Sequence, residues 1–148
     1  MWLLPQAENP NLLFLGYGAD GLADGDFVGN QVRITLRGVT GPGQFAEYEL
    51  DSFGNPVVFM NTRDGISAAD HFDLTAGGDA HTGWAFSQPG RYTVSLEAAG
   101  TLANGNIFTS SGPVNYSFEV VPEPSTMALL GSGLLGLLVW TKRRRASL

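Results

Sequence analysis

The sequence predicts an all-β domain, an immunoglobulin-like antiparallel β-sandwich, followed by one C-terminal transmembrane helix. Three observations predict it. Short apolar runs alternate with polar residues, the period of a strand with one wet face. Turn residues recur about every ten positions, as in a sandwich. The chain then closes with a proline turn, an uncharged run and a cation cluster, in that order.

Residues 1–11 carry two prolines and read as an entry segment. Leu12 to Gly16 is a short apolar run, expected as a buried strand. Asp20 to Asp26 is an acidic glycine loop. From Gln31 to Arg37, Val32, Ile34 and Leu36 face one way and Arg33, Thr35 and Arg37 the other. Thr40-Gly41-Pro42-Gly43 turns the chain. In the next strand Phe45, Glu47 and Glu49 alternate with Ala46, Tyr48 and Leu50.

Asp51 to Pro56 is a further turn, and Val57 to Met60 a short strand. Arg63-Asp64-Gly65 opens a polar loop. His71 to Thr75 alternates again, and Asp79 to Phe86 reads as one strand. After Ser87 to Gly90, Tyr92, Val94, Leu96 and Ala98 mark the cleanest apolar face. Asn104-Gly105 suits a tight hairpin. Val114, Tyr116, Phe118 and Val120 form the last face. The expected total is about seven to nine strands, with no helix before the tail.

Composition narrows the function classes. Before Pro122, four arginines stand against thirteen Asp and Glu, a net of −9. Such a surface repels nucleic acid and attracts cations. The absence of cysteine excludes disulfides and thiol chemistry. Met1 to Leu4 runs straight into Pro5, without the basic and apolar regions of a signal peptide. The expectation is that the leader of an exported protein is missing and that this chain starts late.

The tail divides into Pro122-Glu123-Pro124, the uncharged residues 125–141, and Lys142, Arg143, Arg144 and Arg145. Its seventeen uncharged residues reach about 25 Å as a helix, the low end for a hydrocarbon core of about 30 Å. Trp140 suits the headgroup level. The four cations stay cytoplasmic and leave the acidic body across the membrane. The domains are therefore 1–120, a surface domain, and 121–148, a sorting and anchoring segment.

This tail resembles the PEP-CTERM sorting signal of Gram-negative bacteria that make exopolysaccharide. The matching residues are Val121 to Ser125, the Leu/Gly-rich span and the Arg cluster. The resemblance implies recognition and cleavage near Pro122 to Pro124 by an exosortase. The body resembles the choice-of-anchor M surface domain through Leu4-Pro5-Gln6, Leu12 to Gly16, Val39 to Gly43, Asp51 to Pro56, Trp84-Ala85-Phe86 and Pro89 to Tyr92. That resemblance implies a surface module with no catalytic activity.

Two constellations are candidates for metal. Asp79 and His81 lie two apart in a strand and share a face, where that family usually carries His-x-His. His71 and Asp73 are possible further ligands from a neighbouring strand. Asp20, Asp24 and Asp26 share a loop of the kind that supplies Ca²⁺ with oxygens, but without EF-hand spacing. Paired Glu47 and Glu49 read as exposed charge on a polar strand. No nucleophile elbow or P-loop is present.

The expected function is a non-catalytic protein of the cell surface or exopolysaccharide matrix, sorted and cleaved by an exosortase. No cofactor is required, although Ca²⁺ or Zn²⁺ is a candidate. The expected partners are the exosortase, the membrane, and exopolysaccharide or other surface proteins. The alternatives are an uncleaved, membrane-anchored metal- or carbohydrate-binding module, and a hydrolase using Asp79 and His81.

Overall fold

The computed structural model describes residues 1–121. They form eleven strands and one 3-10 turn, Val28–Asn30. The strands are β1 (Trp2–Leu4), β2 (Gly16–Gly18), β3 (Gln31–Thr40), β4 (Phe45–Leu50), β5 (Pro56–Asn61), β6 (His71–Thr75), β7 (Asp79–His81), β8 (Gly83–Phe86), β9 (Gly90–Leu102), β10 (Ile107–Ser110) and β11 (Val114–Val120). All pairings are antiparallel.

One sheet has the order β1-β8-β4-β5. The other runs β10-β9-β3-β6, and β11 also pairs with β9. One edge of the thirteen-residue β9 takes β3. The other edge takes β11 along its first half and β10 along its second. A small ribbon joins β2 to β7.

Apolar alternation explains the core. Val32, Ile34 and Leu36 of β3 and Tyr92, Val94 and Leu96 of β9 meet Phe45, Met60, Trp84 and Phe86 of the facing sheet. Phe45 meets the edge of Trp84 at 5.2 Å between ring centroids, a favoured aromatic geometry. The Tyr92 hydroxyl donates to the Gln88 carbonyl at 3.0 Å and pins the turn into β9. Outside the core, Arg33 pairs with Asp73 across β3 and β6 at 2.7 Å.

Several expectations need correction. The first residues are more than an entry segment, because Trp2–Leu4 adds a strand beside β8. Leu12 to Gly16 is not a buried strand. Leu12, Leu13 and Phe14 are exposed, and pairing begins only at Gly16. Leu12 and Leu13 line a surface opening, Phe14 stacks on His81, and only Leu15 packs against the core.

Asp79 to Phe86 is two strands rather than one. At Thr82 the chain leaves the β2 ribbon and enters the main sheet between β1 and β4. Both halves have strand periodicity, so the break is invisible in the pattern alone. The expected membrane helix at 125–141 lies outside the described residues.

Candidate functional site

The site begins where the fold ends. β11 is held to β9 by a continuous register, from Val114 opposite Leu96 to Val120 opposite Gly90. Val120 packs against the core, while Val121 is 64% exposed. Only Val121 separates the last paired residue, Val120, from Pro122. Beside this exit an open groove of about 700 Å³ lies between β1 and β11, with Trp2, Leu4, Leu13, Phe118 and Val121 among its walls.

Residues 120–145 match the PEP-CTERM protein-sorting motif. The PEP-CTERM match starts on Val120, the last residue of β11, so domain and motif share that residue. The signal supports exosortase-dependent sorting of an exported, envelope-directed protein of a Gram-negative bacterium. Pro122, Glu123, Pro124 and the cations Lys142 to Arg145 fall within the matched stretch but outside the described residues. No curated protein and no solved structure matches the chain. Among the described residues no helix is long and apolar enough to cross a membrane.

The candidate metal residues are only partly brought together. Asp79 and His81 do share a face of β7, with Oδ2 and Nδ1 3.5 Å apart. The His81 ring stacks flat on Phe14, at 4.1 Å between centroids. His71 and Asp73 sit on β6 and are otherwise engaged. His71 Nδ1 lies 3.0 Å from the Ala68 carbonyl, and Asp73 accepts from Arg33 Nε and Nη2. The Arg33 hydrogen bond holds the Asp73 carboxyl below its usual range.

In the acidic loop, Asp26 accepts the Ala23 N–H at 3.1 Å and closes a local turn. Asp20, Asp24 and Asp26 are all exposed. Among the described residues no group of three His, Cys, Asp or Glu is placed to hold one ion.

Sequence reasoning missed the most unusual group. Glu47 is fully buried, the opposite of the exposed charge expected for it. It lies on the same face of β4 as Phe45, and β4 is an inner strand flanked by β8 and β5. Its neighbours were alternating with the right parity, but the face they share is the core. The buried Phe45 two residues earlier was the available signal.

The Tyr17 hydroxyl donates to Glu47 Oε2 at 2.7 Å. Oε1 has no hydrogen-bond partner among the described residues. The Thr82 hydroxyl also favours the carboxylate. Thr82 itself accepts the Trp84 indole N–H at 3.0 Å. Burial pushes Glu47 up to about 7, against the pull of Tyr17 and Thr82. Burial, then the nearby Glu47 charge, also raise the Tyr17 phenol.

Asp70 shows the contrast. It is also buried, yet accepts the Asn61 and Ser67 N–H groups at 2.8 and 2.7 Å. Glu47 is closed within the core without that satisfaction.

Proposed function

We propose that this chain is a non-catalytic surface module of the cell envelope or exopolysaccharide matrix, delivered and released through its C-terminal signal. In this reading an exosortase recognises Pro122-Glu123-Pro124. Residues 125–141 stop transfer as a temporary membrane helix, and Lys142 to Arg145 hold that helix with its end in the cytoplasm. The sorting-motif match at residues 120–145 carries the proposal.

The body is an immunoglobulin-like domain in this reading, related to the choice-of-anchor M surface domains. Two antiparallel layers around Trp84 support that class, as does the Tyr92 hydroxyl tied back to Gln88. An acidic exterior around a packed core supports a structural or adhesive role toward exopolysaccharide or surface proteins.

The test is the mass of the mature C-terminus in a host with an active exosortase and in one lacking it. Loss of the residues after the Pro-Glu-Pro turn, only in the first host, is the expected result. Pro122→Ala with Pro124→Ala should leave the tail attached. An intact tail on the unaltered chain in the active host removes the sorting claim. It would leave an anchored binding module, for which the Asp79–His81 pair is the best candidate locus.

A further inference from the structure

The inner face of β11 is oddly bare. Val114 and Tyr116 stand opposite Leu96 and Val94, which are buried. Neighbours across a ladder share a face, so these side chains point into the sandwich. They nevertheless remain 42% and 47% exposed.

The opposing sheet explains this, because at its matching edge it contributes only the three-residue β1. Further along β11, Phe118 and Val120 line the open groove between β1 and β11. Met1, Leu3, Leu13 and Val121, all in its lining, are between 50% and 83% exposed. The one acid in the lining, Glu119, is paired with Arg91 at 3.2 Å. The mouth is therefore apolar and nearly neutral, on a body whose net charge is −9.

The chain's own connectivity says what lies next to this mouth. Val121 is a wall of the groove, and the uncharged run begins at Ser125. Four residues span at most about 14 Å when fully extended. The headgroup layer that they must cross is about 5–8 Å thick. With residues 125–141 in the membrane, a tether that short keeps the groove within reach of the bilayer surface.

We propose that the β1–β11 groove is a membrane-docking surface that seats in the interface of a neutral bilayer while the tail is still attached. This rests on the anchoring role proposed for residues 125–141. Apolar contact drives it, because the acidic body gains nothing from anionic headgroups. Docking presents Val120 to Pro124 at the membrane surface in one orientation, where a membrane enzyme meets them.

Trp2 in the groove is the natural reporter. The full chain carrying Trp140→Phe is reconstituted into phosphatidylcholine vesicles with bromine on the acyl chains near the headgroup. Its other tryptophan, Trp84, is buried in the core. We expect flotation with the vesicles and quenching of about half or more of the Trp2 emission, lost when Trp2→Phe is added. Leu13→Asp should abolish the quenching and leave flotation intact.

Flotation with equal emission in brominated and plain vesicles overturns the groove proposal and leaves the anchor standing. Cross-links through the groove to a second copy, with Trp2 unquenched, overturn it too. Failure to float removes the anchor and the docking together.

Discussion

The Tyr17 hydroxyl reaches from the β2–β7 ribbon to the Glu47 carboxylate in the main sheet and donates to it at 2.7 Å. This is a long-range contact, thirty residues apart in sequence. It joins the ribbon to the core through a single acidic group with its second oxygen unpartnered.

Stability should therefore depend on pH. Burial raises Glu47 from its ordinary 4.5 to about 7 in the folded protein. The folded state then holds a proton that the unfolded chain releases. Its contribution is fully present below about 4.5, falls as pH rises toward about 7, and is absent above it. The gap corresponds to about 3 kcal/mol. Urea unfolding at pH 5 and pH 8 should show this loss, and Glu47→Gln should flatten it. An unaltered slope in Glu47→Gln would assign the pH dependence to other groups.

Tyr17→Phe removes the donor that steadies the ionised carboxylate. Because that bond lowers the Glu47 pKa, its loss should move the titration midpoint above about 7. Destabilisation of about 1–3 kcal/mol is expected at pH 8, and less at pH 5. Carboxyl-carbon NMR of Glu47 reports the midpoint directly. A midpoint that stays or falls would contradict the coupling.

Gly41 follows β3 and lies against the ring of Tyr92, which a Cβ there would overlap. Tyr92 is fully buried and cannot yield cheaply. Gly41→Ala should cost about 1–3 kcal/mol as overpacking. Gly21→Ala, where a Cβ meets nothing within 4 Å, should be neutral to about 0.5 kcal/mol. Thermal unfolding of the two variants gives the comparison, and equal melting points would contradict it.

Asp79 and His81 offer two groups to a metal, without a third from the described residues. Two ligands bind weakly, so about 1 mM Ca²⁺ or Zn²⁺ should raise Tm by less than about 1 °C. A rise of several degrees that His81→Ala abolishes would show that further ligands gather around this pair.

Much of the fold was legible because its signals are local. Tyr92, Val94 and Leu96 alternate because one face of β9 meets the core, and they are buried as expected. The turn from β9 to β10 falls at Asn104-Gly105 as expected, but it is a loop over 103–106 rather than a tight hairpin, with positive φ at Gly105 (81°) and Asn106 (52°). The metal pair was legible as far as parity goes, since Asp79 and His81 do share a face. What parity leaves open is whether a shared face meets water or the opposite sheet. Glu47 was assigned to water because it is charged, but it shares with Phe45 the face of β4 that meets the opposite sheet. Leu12 to Gly16 failed in the opposite sense, because an apolar run says nothing about whether a partner lies over it.

The sequence alone determined the strand periodicity, the turns and the sorting signal, since each is written in neighbouring residues and their order. Tertiary structure decided which charge is buried, where Asp79 to Phe86 divides between two sheets, and that an apolar groove opens beside the signal. The physical reason is that burial and pairing depend on what the rest of the chain places opposite a strand, and no local pattern of side chains encodes that.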